Sequence, residues 1–263
     1  MKLQDWNQWC CWRNVIRGEK KTKIPTDTKG KLLSTSNTKC HMTFDKAFNA
    51  WMNSDCLSGI GFIFTEDDPF CGIDLDEIGK WYGAQQIIDK LNSYTEPSPS
   101  GNGLHILCEG YLPGEKHGRK VGSHETGEIA IYDAGRFFTV TLRPIGERKE
   151  IVKNQEAINW LCKSLEDNDL LVKIGSKPYG EKFKKLYHGF WKEAGYQSQS
   201  EADLAFCRII NNINGGVISQ IDRIMRKSKL MRNKWDEMRG NETYGYHTLE
   251  IATNEENRTD RLK

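Results

Sequence analysis

The sequence has no Cys-x-x-Cys pair, although it holds eight cysteines, at positions 10, 11, 40, 56, 71, 108, 162 and 207. Zinc knuckles and dithiol redox centres both depend on that spacing, so neither is expected. Cys10-Cys11 with Cys40-His41 could be forced into a zinc site, but reduced thiols in a cytosolic protein are the better reading. Missing too is any apolar run of membrane-spanning length. The N-terminus, with Asp5 and tryptophans at 6, 9 and 12, lacks the basic-then-apolar order of a signal peptide. A cytoplasmic protein without membrane contact is expected. Net charge is also scarce, a formal +2 with 28% charged residues, so nucleic-acid binding has to come from local basic clusters.

What is present centres on Cys71-Gly72-Ile73-Asp74-Leu75-Asp76, reached through the apolar runs 60–64 and 70 onward. Side chains on a strand alternate faces, so Asp74 and Asp76 point the same way, roughly 7 Å apart. Two acids aimed at one point repel unless a cation sits between them, and a divalent metal with oxygen ligands answers that need. Solvated acids at a strand end are the plain alternative.

Around this pair the chain is punctuated clearly. Gly18 separates a strand-like run from the basic Lys20-Lys21-Thr22-Lys23, which predicts a hairpin with Lys21 and Lys23 on one face, either a solvated tip or a wall for phosphates. Phe44, Ala47, Phe48 and Trp51 recur at helical spacing after Thr43, a good N-cap, and residues 84–91 again read as helix. Ser98-Pro99-Ser100-Gly101-Asn102-Gly103 then forms a tight turn whose amides and hydroxyls can cradle phosphates, with His105 beyond it at the start of an apolar strand. Residues 127–141 alternate as two strands around Asp133-Ala134-Gly135 and predict a hairpin. Arg136 reads equally as a phosphate clamp or a plain surface arginine.

Taken together, GEKKTKIP, GIDLDEIG, SYTEPSPSGNGLHI and IYDAGRFFTVT resemble the primase-polymerases of phages and plasmids in the archaeo-eukaryotic primase superfamily, over roughly residues 6–145. The C-terminal third, with Ser200-Glu201-Ala202-Asp203-Leu204, the basic run 221–235 and Tyr244-Gly245-Tyr246-His247, is similar to the small helical domain that succeeds the catalytic domain in these proteins. The resemblance implies an α+β fold: a catalytic domain over 1–150 with a mixed or antiparallel sheet and flanking helices, a connecting segment over 151–195 and a helical-bundle domain over 196–263. The charged run Lys173 to Gly180 motivates the second boundary.

It further implies template-directed nucleotidyl transfer from NTP or dNTP to a 3′-hydroxyl on single-stranded DNA, with two Mg²⁺ or Mn²⁺ ions held by Asp74, Asp76 and a third acid. Ser98, Ser100, Gly101, Asn102, Gly103 and His105 would grip the triphosphate, with Lys23 and Arg136 as second-rank candidates. Arg223, Arg226, Lys227, Lys229, Arg232 and Lys234 would contact the DNA backbone while Trp235 stacks on a base; a solvated basic helix is the alternative. Members often continue into a helicase. No Gly-x-x-x-x-Gly-Lys-Ser/Thr run occurs here, so that domain is expected to be absent or removed, and a replicative helicase becomes a candidate partner.

One departure from the pattern stands out. The third acid is expected two residues before Tyr132, where the sequence has Ala130. Replacing glutamate by alanine is a standard way to disable a metal site, so Ala130 reads as an inactivating, engineered substitution; otherwise Glu128 replaces the acid through a shifted register. Two other functions stay open, a non-catalytic single-stranded DNA-binding module and a metal-dependent nuclease.

Overall fold

The computed structural model describes residues 2–18, 20–80, 83–123 and 127–254. It is an α+β chain in two compact units, Met1–Leu165 and Glu166–Lys263. Residues 255–263 of the expected helical domain lie outside the described residues.

The first unit is built on two antiparallel sheets. One has the order β2-β1-β3-β9, from β1 (Trp9–Arg17), β2 (Lys20–Thr26), β3 (Gly59–Phe64) and β9 (Arg136–Val140). The other runs β5-β6-β4-β8-β7, from β4 (Phe70–Asp76), β5 (Tyr94–Pro97), β6 (Leu104–Glu109), β7 (Gly118–Ser123) and β8 (Gly127–Tyr132). β1 and β2 form the expected hairpin, with Asn14 opposite Lys23 and Ile16 opposite Lys21. β8 and β9, by contrast, are not the hairpin that their alternation predicts: β8 pairs with β4 and β9 with β3, so the chain changes sheets at Asp133-Ala134-Gly135. The reason is local. The Asp133 carboxylate accepts from the Leu112 amide at 2.8 Å and faces His117, while the Gly135 amide donates to the Phe64 carbonyl, so the turn is tied to both sheets.

Alternation sorts the five-stranded sheet into two faces. Cys71, Ile73, Leu75, Ile106, Cys108, Ile129 and Ile131 pack against α2 (Ala84–Leu91) and the first part of α3 (Gln155–Gly175), a core closed to water. The opposite face turns toward the four-stranded sheet. There an aromatic core of Trp9, Phe62, Phe64, Phe70 and Phe138, with α1 (Phe44–Met52) against it, holds the two sheets together. α1 begins as expected, with the Thr43 side chain accepting from the Lys46 amide.

The second unit is helical. α4 (Gly180–Tyr187), α5 (Gln199–Asn214), α6 (Ile218–Lys227) and α7 (Tyr244–Thr253) enclose Phe183, Phe206, Ile210, Ile221, Ile224, Met225 and Trp235. The residues read as a connecting segment, 151–195, contain α3 and α4, and the boundary between the two units falls inside α3 because its first half carries Ile158 and Leu161 for one core and its second half Leu170 and Ile174 for the other. None of the eight cysteines is in a disulfide, and Cys10 and Cys11 are buried; burial pushes the Cys11 thiol up to about 11. Among the described residues no helix is long and apolar enough to cross a membrane.

Candidate active site

The register of the five-stranded sheet lines up five residues in one cross-strand row: Glu96 on β5, His105 on β6, Asp74 on β4, Ala130 on β8 and Lys120 on β7. Directly opposed residues share a face, so all five point toward the four-stranded sheet. The next row holds Asp76 opposite Glu128. The two acids picked out of the sequence are therefore on one face, and the register is not shifted: Ala130, not Glu128, stands across from Asp74.

Charge around Asp74 is unbalanced. Burial pushes its carboxyl above the usual range, the His105 ring pulls it back, and the charges of Asp76 and Glu128 push it up again against Lys23. Its Oδ1 is buried without a hydrogen-bond partner, with His105 Nε2 at 3.6 Å. Glu128 is less free, since Lys120 Nζ lies 2.7 Å from its Oε2. A buried carboxylate oxygen without a donor, beside two more acids, fits a hard divalent cation such as Mg²⁺ or Mn²⁺. Yet among the described residues no three His, Cys, Asp or Glu side chains are gathered as a ligand set.

The Ser98–Gly103 turn sits directly on this site. A Cβ at Gly103 would lie 2.5 Å from the Leu75 carbonyl and 3.1 Å from Asp76 Oδ1, so only glycine lets the turn come this close. Gly101 adopts φ +81°, the left-handed region that completes the turn. The amides of Ser98, Gly101 and Asn102 donate to the Gly103 carbonyl, the Ser98 carbonyl and Ser100 Oγ. These three amides are spent inside the turn. Ser100 and Asn102 are exposed, and Ser98 Oγ and Ser100 Oγ are 2.9 Å apart, so hydroxyls and the Asn102 side chain are among the groups that the turn offers a ligand.

His105 is fixed from behind. Its Nδ1 is 2.9 Å from the Thr139 carbonyl, which can only accept, so the hydrogen is on Nδ1 and Nε2 faces Asp74. The Phe138 ring lies 4.3 Å from the imidazole centroid. Arg136 is on the exposed rim, its guanidinium 5.1 Å from the Tyr132 ring centroid, and Tyr132 shares the face of Ala130. Two members of the row, Glu96 and Lys120, were not singled out from the sequence. Glu96 lies within the motif, two residues before Ser98, and Lys120 alternates with Gly118 and Gly122; only the register shows that they face the site.

In the helical unit the expected basic face is largely neutralised. Arg223 and Lys227 both bind buried Asp167, at 2.7 and 2.8 Å. Arg226 spans Asp222 and Asp236, at 2.8 and 2.7 Å, and Arg232 reaches buried Asp203 at 2.7 Å. Trp235 does not offer a ring for stacking: it is 2% exposed, its Nε1 donates to Asp222 and it packs edge-on to Tyr244. Its apolar body completes the bundle core, a role that the basic residues around it in sequence conceal. Exposed Lys229 and half-buried Lys234 form no ion pair among the described residues. Lys234, Arg232 and Arg239 gather around the Tyr244 ring, at 5.8 Å or less from its centroid.

The NrS-1 polymerase HBD domain matches residues 199–260, a stretch that takes in α5, α6 and α7. A DNA primase-polymerase of Nitratiruptor phage NrS-1 is 32% identical over 266 aligned residues, covering 95% of this chain. The chain spans 36% of that relative's length. Both units, the sheet carrying Asp74, Asp76 and His105 and the bundle behind it in sequence, thus have their counterpart in one protein, and the chain is similar to this phage primase-polymerase over nearly all of its own length.

Proposed function

We propose that this chain is the nucleotidyl-transfer part of a DNA primase-polymerase, in which Asp74 and Asp76 hold divalent metal, the Ser98–Gly103 turn with His105 holds the triphosphate of an NTP or dNTP, and the helical unit contacts single-stranded DNA template. The observation that carries this reading is the juxtaposition of the unpartnered Asp74 oxygen with the Gly103 turn, acids for metal beside hydroxyls for phosphate. A nuclease has no use for such a turn.

In the transfer, the primer 3′-oxygen forms a bond to the α-phosphorus, the bond to the β-phosphate oxygen breaks, and pyrophosphate leaves with the hydroxyl proton passed to solvent. Mg²⁺ or Mn²⁺, when bound, acidifies the hydroxyl and neutralises the leaving charge. The chain's own part is positioning and field. Ser98, Ser100 and Asn102 orient the phosphates, and the His105 ring lines the site beside Asp74. Lys23 adds positive charge near Asp74, and Arg136 stands at the rim. In the helical unit, Lys229, Lys234, Arg232 and Arg239 around Tyr244 are the groups best placed for a phosphate backbone. A replicative helicase is the partner that this reading expects.

Ala130 stands where a third acid would complete the site, so the chain as given is a weakened or disabled form. Primer synthesis on single-stranded DNA with Mg²⁺ or Mn²⁺ is the test. Ala130→Glu is expected to raise it by on the order of 10³-fold, and Asp74→Ala in that background to remove it again. An Ala130→Glu chain that stays inactive while retaining DNA affinity favours the second reading, a binding module without chemistry, which the alanine itself supports.

A further inference from the structure

The outer half of the β1–β2 hairpin stands apart from the sheet that bears it. β1 is nine residues long, but only Trp9–Trp12 pair with β3. From Arg13 to Arg17 its sole strand neighbour among the described residues is β2, the edge of the sheet, so the hairpin continues past the sheet as a two-stranded ribbon that turns at Gly18 (φ +61°). Such a ribbon is marginally stable in water by itself, and this one is fastened at its root. Arg13 Nε donates to the Gly30 carbonyl at 3.0 Å, Asn14 Nδ2 donates to Ser58 Oγ at 3.3 Å, and Ile24 is buried. Farther out, Ile16, Arg17 and Lys21 are exposed, and neither Arg17 nor Lys21 makes a side-chain hydrogen bond or ion pair among the described residues.

Register divides the ribbon into two faces. Asn14 stands opposite Lys23 and Ile16 opposite Lys21, two residues farther out on each strand, so all four side chains share one face. The charge of Lys23 reaches Asp74, which puts that face on the side of the metal acids. Its two lysines start roughly 7 Å apart along β2, and beside the outer one Ile16 is 82% exposed. A single exposed isoleucine says nothing. One held next to an unpaired lysine, on an arm that leads toward Asp74, makes a surface for a polyanion with apolar faces between its charges. An unpaired DNA strand has that chemistry, with phosphates at regular intervals and bases free to lie on a side chain. A duplex hides those faces. We propose that the ribbon guides single-stranded DNA toward Asp74 and Asp76: Lys21 and Lys23 take its phosphates, and Ile16 lies against a base or sugar between them. This gives the first unit its own contact with the template, and it rests on the reading of the chain as the nucleotidyl-transfer part of a primase-polymerase.

Titration of a fluorescent single-stranded oligodeoxynucleotide with the full chain, over a range of salt, separates the two kinds of contact. Lys21→Ala is expected to lower the slope of log affinity against log salt by about 0.7. Ile16→Ser is expected to weaken binding several-fold at every salt concentration with the slope unchanged, because an apolar contact releases no counter-ion. Both side chains are exposed, so the melting temperature should stay that of the starting chain; a fold defect alone would lower it and would not split the two salt responses. Location is read with p-benzoylphenylalanine in place of Ile16, which should crosslink to the oligonucleotide on irradiation. The same photoreactive residue in place of Asp67, exposed and beyond the opposite end of β3, should not. Unchanged affinity and slope in both variants, with no crosslink at position 16, overturns the proposal and leaves the functional reading standing, with DNA held elsewhere on the chain. A crosslink to duplex in preference to single strand overturns it as well. A starting chain that binds no oligonucleotide brings down the proposal and the functional reading together.

Discussion

Both units bury acidic side chains, and Asp74 of the first unit differs from Asp167 and Asp203 of the second in the charges that stand beside it. In the helical unit Asp167 is 1% exposed and receives Arg223 and Lys227, and Asp203, equally buried, receives Arg232 and the Tyr244 hydroxyl. In the first unit Asp74 has a buried oxygen without a donor, and its neighbours Asp76 and Glu128 carry the same sign. An unsatisfied buried acceptor costs about 1–3 kcal/mol; Asp203 Oδ1 is also without a partner, but the Arg232 cation lies against its carboxylate, whereas Asp74 stands beside two acids of its own sign. The acids Asp167 and Asp203 of the bundle face cations, whereas Asp74 of the sheet faces Asp76 and Glu128. The difference between Asp74 and the bundle's acids is legible only in what stands opposite each of them.

The sharpest way to break that contrast is to remove one acid from each side. Asp167→Ala strips two cations of their partner and is expected to cost about 2–3 kcal/mol, less than a fully buried pair because Arg223 and Lys227 can reach water. Asp74→Ala in the metal-free chain is expected to leave stability unchanged or raise it, since it removes like-charge repulsion. Chemical denaturation of both variants checks this, and equal losses would erase the distinction. A smaller effect comes from pH. The folded Asp74 holds its proton more tightly than the unfolded chain does, so its contribution grows as pH falls through the window between its raised folded value and the ordinary one, and is lost as pH rises above it. Asp74→Asn should therefore flatten the stability profile in that window and raise stability at neutral pH. A profile identical to that of the starting chain would mean that water or a counter-ion already satisfies the site.

Much of this could be read in the sequence, for definite reasons. The paired acids come from strand alternation, α1 from the spacing of Phe44, Ala47, Phe48 and Trp51 after Thr43, and the turn from Ser98-Pro99-Ser100-Gly101. Local pattern failed where the answer depended on distant partners. Nothing within 127–141 says that the two strands join different sheets, because the cause is Leu112, His117 and Phe64. Lys120 and Glu96 enter the site by cross-strand register, which periodicity does not specify. The basic run 223–234 looked free because the counter-ions of Arg223, Lys227 and Arg232, Asp167 and Asp203, lie far away in the chain; only Arg226 has its partners, Asp222 and Asp236, close by. Trp235 looked like a stacking platform for the same reason, whereas Gly245 and Tyr244 close over it.

The smallest expected effect tests whether the fastened and the free cations of the bundle differ in function. A lysine that neutralises a phosphate releases a counter-ion, and on single strands each such contact contributes about 0.7 to the slope of log affinity against log salt. Lys229 is exposed and without an ion pair among the described residues, so Lys229→Ala should lower the slope by about that amount while leaving stability within about 0.5 kcal/mol. Lys227 differs only in that Asp167 already neutralises it at 2.8 Å. Binding DNA through Lys227 would mean giving up that partner and leaving Asp167 to Arg223 alone, so Lys227→Ala should change the slope little and stability measurably. Single-stranded DNA titrations over a range of salt, with a melt on each variant, read both quantities. If Lys227→Ala lowers the slope as much as Lys229→Ala, the ion pairs open on binding, and the bundle's acids are counter-ions held in reserve and not fastenings.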